Sequence, residues 1–205
     1  FLHSNKYLLE VKSTNAYACI TKNELVKFLP KNCIALVSSN VLKDSATVAQ
    51  LFYPDSTVDF PNLNLKPIEK YYKGSCGKNS FIGLNVSIGN DTIIGSNTII
   101  EDNVIIGNNC VIGSNVIIRK SIIESDVHIL DNAIIGKKGF GFMPKNNSNL
   151  RYPHIGHVLI KKKCEIGAAS TIDRGSFSIT VIGENTFLDN QVHIAHNVKI
   201  GKNCI

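Results

Sequence analysis

The chain has 205 residues, of which 43% are hydrophobic, and a formal net charge of +6 at pH 7. This length allows one large or two modest domains, and the hydrophobic content excludes a disordered chain. The sequence has no run of about 18 apolar residues and no basic-then-apolar leader, so we expect no membrane insertion and a cytoplasmic location. The chain begins at Phe1 and stops at Ile205 inside a repeat, so we expect a fragment truncated at both ends.

The cysteines and the distribution of positive charge narrow the function classes. The six cysteines are scattered without a C-x-x-C pair, which predicts reduced thiols rather than a disulfide framework or a zinc ribbon. Lysine and arginine are spread along the chain, and no basic block alternates with aromatic residues, so we expect no nucleic-acid partner. The positive charge favours an acidic protein partner instead.

Residues 1–70 show no repeat, and their pattern predicts a small α/β domain. A strand, a helix, a second strand and a second helix are predicted in that order at 17–20, 23–29, 33–38 and 44–53. Asp44 or Ser45 is the expected N-cap of the second helix. The proline-containing stretch from Pro54 to Pro67 is predicted to be a linker.

From Cys76 onward an aliphatic or small residue recurs every six positions, usually followed by glycine. Eight consecutive matches reach Ile118, and the register returns further along the chain as far as Ile200. This period is the hexapeptide signature of a parallel β-helix. Three hexads form one triangular coil, and coils stack about 4.8 Å apart by parallel strand pairing. We therefore predict a mainly β fold, with the β-helix spanning residues 71–205.

Each position of the hexad has its own physical role. The aliphatic residue of each hexad points into the core. The small or β-branched residue four positions later lies two positions before the next aliphatic residue, on the same strand. It also points into the core, because residues two apart on a strand face the same way. Cys110 and Cys204 occupy the small position, which predicts packing rather than redox chemistry. Corner positions that must tolerate positive φ carry a run of asparagines: Asn85, Asn97, Asn103, Asn109, Asn115, Asn185 and Asn203.

The repeat is interrupted at residues 137–157, which are too irregular to form the edge of a coil. We expect this segment to project as a loop that brings aromatic, basic and histidine side chains together, as functional excursions from rigid scaffolds do. Its GFGF motif contains Phe140 and Phe142. The motif is not a dinucleotide fingerprint, because the third glycine and the strand-turn-helix context are missing.

The stretch DNQVHIAHN, residues 189–197, breaks the repeat with polar groups. With Ile194 in the core, His196 falls on an exposed corner and His193 faces outward from the strand. Asp189 lies on the preceding corner, a whole side of the coil away, so a contact with His196 across a subunit interface is open as well as one within the chain. Proton transfer by a histidine is favoured over a metal site, which needs three or four converging ligands. A purely structural surface histidine is the remaining alternative.

The segment 164–204, with its motifs TIDRG and DNQ-x-x-IAHN, resembles the UDP-3-O-(3-hydroxyacyl)glucosamine N-acyltransferase family of lipid A biosynthesis. The opening FLHSNKY is similar to the family's uridine-binding domain. The resemblance implies a left-handed β-helix homotrimer. It further implies transfer of a 3-hydroxyacyl chain from acyl carrier protein to the 2-amine of a UDP-sugar, UDP-3-O-acylglucosamine, with no cofactor and no metal. Residues 1–70 would be the uridine-binding-like domain, and residues 71–205 the acyltransferase domain.

The resemblance also implies roles for individual residues. His196 becomes the general base, Asp189 orients its imidazole, and Asn190 is a neighbouring polar residue of the catalytic site. The resemblance also implies that the uracil ring stacks between Phe1 and Tyr7 in the N-terminal domain, where Ser4 stands in place of the family's asparagine. His193 occupies a position where we expect glutamine in many members. The substrate-binding set is Phe1, Ser4, Tyr7, His193, Phe140 and Phe142.

Three other functions compete with this one. A hexapeptide O-acyltransferase that acts on a nucleotide sugar would lack the N-terminal α/β domain. A metalloenzyme resembling carbonic anhydrase would need a site of three histidines. A non-catalytic β-helix scaffold would keep every property after His196→Ala.

Overall fold

The computed structural model describes residues 1–205 except Tyr71, Lys73 and Asn146. The chain forms two compact units. The first contains Phe1–Ser56 and Met143–Pro153, and the second contains Thr57–Phe142 and His154–Ile205. The second unit therefore begins well before residue 70, where the sequence pattern places the domain boundary.

The first unit contains two parallel strands and short helices around a small apolar core. Its elements are a 3-10 helix (Asn5–Tyr7), α1 (Leu8–Lys12), β1 (Ala18–Thr21), a 3-10 helix (Asn23–Phe28), β2 (Ile34–Val37), α2 (Val41–Phe52) and a 3-10 turn that begins at Pro54. The two strands predicted from the sequence are confirmed, and the first predicted helix forms as a 3-10 helix. The core consists of Leu2, Val11, Cys19, Leu25 and Cys33.

The start of α2 differs from the predicted one. Asn40 is the N-cap, and its side-chain oxygen accepts the N–H of Lys43 at 3.2 Å. The prediction of Asp44 or Ser45 as N-cap is wrong, because both residues lie inside the first turns of the helix. Asp44 accepts a hydrogen bond from the Ser38 hydroxyl at 2.6 Å, and the Ser45 hydroxyl donates back to the Val41 carbonyl at 2.7 Å.

Nearly all of the remaining strands are two or three residues long, as the hexad predicts. In chain order they are β3 (Lys66–Pro67), β4 (Phe81–Ile82), β5 (Ser87–Ile88), β6 (Ile93–Ile94), β7 (Ile99–Ile100), β8 (Ile105–Ile106), β9 (Val111–Ile112), β10 (Ile117–Ile118), β11 (Ser121–Ile123), β12 (His128–Ile129), β13 (Ile134–Lys137), β14 (Phe142–Lys145), β15 (Ser148–Arg151), β16 (Val158–Ile160), β17 (Glu165–Ile166), β18 (Thr171–Asp173), β19 (Thr180–Ile182), β20 (Phe187–Leu188) and β21 (His193–Ile194).

Apart from β14, β15 and the antiparallel β3, these strands form the three faces of a parallel β-helix. The sheet orders are β21-β18-β13-β10-β7-β4-β3, β19-β16-β11-β8-β5 and β20-β17-β12-β9-β6. Within one sheet the core isoleucines pair directly, for example Ile82 with Ile100 and Ile100 with Ile118. Burying such an isoleucine stabilises the fold by about 1.5–3 kcal/mol. Stacked isoleucines therefore supply most of the core, as the aliphatic position predicts.

The corners and the small core positions also follow the predicted roles. The residue three places after the core aliphatic residue takes a left-handed φ, such as 58° at Asn97 and 63° at Asn197. The small position holds hydroxyls that link consecutive coils. The Thr98 hydroxyl donates to the Gly113 carbonyl at 2.8 Å and accepts the N–H of Val116 at 3.2 Å, so this buried group is satisfied. Cys110 is buried at the same position, and all six cysteines are free thiols.

Two segments depart from the sequence-based predictions. Residues 57–67 are fixed to the β-helix rather than forming a linker: Asn62 donates to Asp102 at 3.1 Å, and β3 pairs antiparallel with β4. The excursion at 137–157 is not only a loop, because β14 and β15 pair in a sheet of their own. Among the described residues, no helix is long and apolar enough to cross a membrane.

Candidate active site

The site begins where the β-helix breaks its own register, at Gly136. The pairing of β13 with β18 runs from Ile135 opposite Ile172 to Lys137 opposite Asp173, so Gly136 is an extra residue on one strand. Its φ of +79° suits glycine, and a Cβ there would lie 1.7 Å from the Arg119 carbonyl oxygen. Such bulges re-aim side chains next to functional sites. Here the bulge brings Lys137 to Asp173.

Asp173 is a buried carboxylate with two basic neighbours. Only 1% of its side chain is exposed. Its Oδ1 lies 2.6 Å from Lys137 Nζ, and its Oδ2 lies 3.2 Å from His193 Nε2. An ionised carboxylate only accepts hydrogen bonds, so the network assigns the imidazole proton of neutral His193 to Nε2. The lone pair of His193 is then on Nδ1.

His196 lies on the next corner and packs against a second histidine. The His154 ring is nearly perpendicular to the His196 ring, at 81°, with 4.8 Å between the two centroids. His154 is only 1% exposed, whereas His196 is half-buried. The backbone of Gly139 leaves no room for a side chain beside the two rings, since a Cβ there would lie 2.7 Å from His154 Nε2 and 2.8 Å from His196 Cδ2. The imidazole of His196 is therefore closely packed.

The side-chain amide of Asn197 determines which ring nitrogen of neutral His196 carries the proton. The side-chain oxygen of Asn197 accepts the N–H of Ser176 at 2.9 Å, which orients its amide. Its Nδ2 then faces His196 Nδ1 at 2.9 Å and donates to it. The network thus assigns the proton of neutral His196 to Nε2 and engages its lone pair. The two histidines therefore have different hydrogen-bond partners: His193 bonds to the Asp173 carboxylate through Nε2, and His196 bonds to the Asn197 amide through Nδ1.

Asp189 and Asn190 lie on the corner before His193, and their side chains make local contacts. Asp189 Oδ1 accepts the N–H of Asn190 at 2.7 Å, and Asn190 Oδ1 accepts the N–H of Ala168 at 2.7 Å. The second bond repeats one that Asp102 makes with the Leu84 N–H at 2.7 Å in an earlier coil. No hydrogen bond joins either residue to His196 within the part of the chain that the structure describes.

Arg174 and Asp59 form an ion pair beside the histidines. Arg174 Nη1 lies 2.6 Å from Asp59 Oδ1, and Asp59 Oδ2 accepts the N–H of Lys138 at 2.6 Å. Burial by itself would raise the pKa of Asp59, but the Lys138 N–H and the Arg174 guanidinium lower it below its usual value. Arg119 adds a longer contact to the same carboxylate at 3.7 Å.

The predicted substrate-binding aromatic residues divide between the two compact units. Phe140 and Phe142 belong to the second unit, where their rings meet edge to face at 5.2 Å. Phe1 and Tyr7 belong to the first unit and are 46% and 39% exposed. The His3 ring contacts both, at 5.7 Å from Phe1 and 5.3 Å from Tyr7.

His3 and Ser4 complete the candidate uridine-binding surface. The Ser4 hydroxyl accepts the N–H of Lys6 at 3.3 Å and caps the short helix there. Burial, Lys22 and the N-terminal amino group lower the pKa of His3. His3 Nδ1 is buried and finds no hydrogen-bond partner among the described residues.

The sequence pattern did not identify the residues that support the two histidines of the candidate site. His154 sits in the irregular excursion, Asp59 in the predicted linker, and Asp173 and Arg174 in a motif that carried only the resemblance. The sequence gives no signal for Asp173, because Ile135-Gly136 looks like a regular pair of the hexad and only the strand pairing shows Gly136 to be an extra residue. Across the described residues, no three His, Cys, Asp or Glu side chains converge as metal ligands would.

Comparisons with known proteins agree with the motifs. A family model described as bacterial transferase hexapeptide, six repeats, matches residues 85–120 and 179–205. UDP-3-O-acylglucosamine N-acyltransferase 2 of Legionella pneumophila (strain Paris) is 46% identical over 208 residues, covering 100% of this chain and 61% of that protein. UDP-3-O-acylglucosamine N-acyltransferase of Granulibacter bethesdensis is 43% identical over 212 residues, with the same two coverages.

A solved structure, that of Francisella novicida UDP-N-acetylglucosamine acyltransferase, matches with a TM-score of 0.52 at 27% identity. The match covers 59% of this chain and 45% of that one. The fold is thus the left-handed parallel β-helix of hexapeptide-repeat acyltransferases. The chain spans 61% of the length of the two curated relatives. Because the 46% identity extends over the whole chain, both compact units of this chain are similar to the UDP-3-O-acylglucosamine N-acyltransferase of Legionella pneumophila.

Proposed function

We propose that the protein is an N-acyltransferase of lipid A biosynthesis that transfers a 3-hydroxyacyl chain to the 2-amine of UDP-3-O-acylglucosamine. The observation that carries this proposal is the half-buried His196 of the IAHN motif, packed against His154 and Gly139 at an accessible corner. The names of relatives that are 46% and 43% identical support the choice of substrate.

The proposed chemistry needs a base because an amine is mostly protonated near neutral pH. The amine nitrogen attacks the thioester carbonyl, the C–N bond forms, the C–S bond breaks, and the thiol leaves. A neutral imidazole accepts the amine proton during the attack. In the structure the lone pair of His196 faces Asn197 Nδ2. The contact between Asn197 and His196 therefore has to open before His196 accepts a proton.

His193 is the second candidate for the base, and one observation favours it. Its Nε2 bonds to Asp173, which leaves the lone pair on Nδ1 and stabilises the positive charge that follows protonation. The resemblance assigns the base to His196 and gives His193 a role in substrate binding. The two assignments predict different consequences for substitutions, so one experiment separates them.

The remaining parts of the proposal concern the substrates and the assembly. Phe1 and Tyr7 would hold the uracil ring, and their exposed rings support this role. The acyl donor would be acyl carrier protein, and the net charge of +6 suits an acidic partner. Exposed apolar side chains on the outer faces of the coils, such as Ile93 and Ile105, support a homotrimer. A cytoplasmic location belongs to the same proposal, as does Asp189 orienting His196 from a neighbouring subunit with Asn190 beside it.

The test measures acyl transfer from 3-hydroxyacyl carrier protein to UDP-3-O-acylglucosamine by the purified protein, with product identified by mass spectrometry. We expect His196→Ala to lower kcat by about 100-fold or more, the scale of general-base catalysis. His193→Gln should act mainly by raising KM. The reverse result would make His193 the base, and transfer by none of the proteins, wild type included, would contradict the proposed function.

A further inference from the structure

The excursion at 137–157 leaves and rejoins the β-helix at one side chain, that of Arg174. Arg174 Nε donates to the His154 carbonyl at 2.9 Å, on the returning side. Its Nη1 donates to the Gly136 carbonyl at 3.2 Å, on the outgoing side. The Arg174 side chain is only 6% exposed. Both ends of the excursion are thus held by a single buried guanidinium.

Asp59 completes this arrangement from another part of the chain. One of its oxygens accepts from Arg174 Nη1 at 2.6 Å, and the other accepts the N–H of Lys138 at 2.6 Å. Hydrogen bonds in which a partner is charged are about twice as strong as neutral ones. We refer to Arg174, Asp59 and their bonds to Gly136, Lys138 and His154 as the neck clasp.

The neck clasp is directly connected to the packing of His196. One of its bonds fixes the backbone of His154, whose ring contacts the His196 ring at a centroid distance of 4.8 Å. Another fixes Lys138, and the next residue is Gly139, which touches both histidine rings. His154 and Gly139 confine the His196 imidazole. A clasp hydrogen bond holds the carbonyl of His154 itself, and another holds the N–H of Lys138, the residue before Gly139.

We propose that the neck clasp is a positioning device that sets the orientation of the His196 imidazole through His154 and Gly139. Arg174, Asp59 and His154 are positioning residues, since the reacting atoms approach His196 and not them. The inference rests on the proposed function only where it concerns rates. A displacement of a catalytic group by about 1 Å can cost about 100-fold in rate, so loosening the clasp should slow transfer without abolishing substrate binding.

The kinetic test compares Arg174→Lys, Asp59→Asn and His154→Ala with the wild type. Arg174→Lys keeps the charge but loses the forked geometry, and Asp59→Asn is the mildest change should another variant fold poorly. We expect kcat to fall about 10- to 100-fold while KM stays within about threefold. The matched control is Glu124→Gln, which weakens a 2.8 Å ion pair with Lys161 at another corner and should leave kcat unchanged. Wild-type kcat in all three clasp variants, or an equal loss in the control, would overturn the proposal.

A spectroscopic arm separates this inference from the proposed reaction. In protein with 15N-labelled histidine, long-range 1H–15N spectra report which ring nitrogen carries the proton, and His196→Ala identifies the signal. We expect the wild-type His196 signal to show one tautomer, protonated at Nε2, and the clasp variants to show an averaged or mixed signal. An unchanged tautomer in all three variants would contradict the clasp. If the wild type transfers no acyl chain, the proposed function fails, while these spectra still decide the role of the clasp.

Discussion

Nε2 of His193 lies 3.2 Å from Oδ2 of Asp173, a carboxylate that is 1% exposed. His196, three residues further along, instead faces the amide of Asn197. The two histidines of one nine-residue motif therefore have different hydrogen-bond partners, because His193 lies on β21, which pairs with the strand that carries Asp173, and His196 lies on the corner that follows.

Asp173 should contribute more to stability than either of its partners. We expect Asp173→Ala to lower the free energy of unfolding by about 3 kcal/mol, because it removes the ion-pair partner of Lys137 and the hydrogen-bond partner of His193 and empties a buried position. His193→Gln retains a hydrogen-bond donor on a half-exposed side chain and should cost less than about 1 kcal/mol. Urea unfolding of both variants measures the difference. Equal small losses would show that the buried carboxylate is not a structural element.

Gly139 should be sensitive to a single added methyl group. Gly139→Ala places a Cβ within 2.8 Å of both histidine rings, so the rings must separate. We expect transfer to fall about 10- to 100-fold, with little change in stability. Gly201→Ala is the matched control, since its Cβ would meet only Cys204 Sγ, at 3.7 Å. Parallel kcat and melting measurements test this, and full activity in Gly139→Ala would show that the rings have room to adjust.

The contribution of Asp59 to the free energy of unfolding should decrease as the pH falls. Its pKa is lower in the folded protein than in the unfolded chain, so its contribution is present above the unfolded pKa of about 3.9 and is lost as the pH falls through the folded value. At pH 7 we expect Asp59→Asn to cost about 1–3 kcal/mol. The gap between wild type and variant should narrow below about pH 4. A gap that is constant from pH 7 to pH 3 would contradict this assignment.

Asn97 tests the role of the corner asparagines. Its φ of 58° disfavours side chains with an ordinary Cβ, and Asn97→Ala should cost about 1 kcal/mol. Asn97→Gly should be neutral within about 0.5 kcal/mol, because glycine adopts this conformation freely. Thermal unfolding of the two variants provides the comparison. If alanine were tolerated as well as glycine, the asparagine run would need an explanation other than backbone conformation.

The repeat was predictable because each hexad position has one physical task. Side-chain periodicity alone therefore gives the stacking of Ile82 on Ile100 and the left-handed corner at Asn97. The support of the candidate site was not predictable in this way. His154 meets His196 across 42 positions of sequence, through an excursion without a register, and Asp59 meets Arg174 through a stretch that reads as a linker. Contacts of this kind depend on how irregular segments fold back, which no short-range pattern encodes.

The same limit explains the N-cap of α2 and the placement of Asp173. Asn40, Asp44 and Ser45 all suit a helix N-terminus, and the choice among them depends on where the first turn packs. Asp173 would be an exposed corner residue in a regular hexad. The single extra residue Gly136 moves Lys137 opposite to it, and this pairing buries the carboxylate.

Ile135 and Ile172 remain directly paired although the whole excursion lies between them in the chain. Each coil contacts only its neighbours, so extra residues at a corner leave the stacking above and below intact. Scaffold and chemistry can therefore diverge separately in such a protein: a corner can lengthen or be exchanged while the core keeps its composition. Both evolution and protein engineering can therefore insert new recognition segments at the corners while the sheets of the three flat faces stay unchanged.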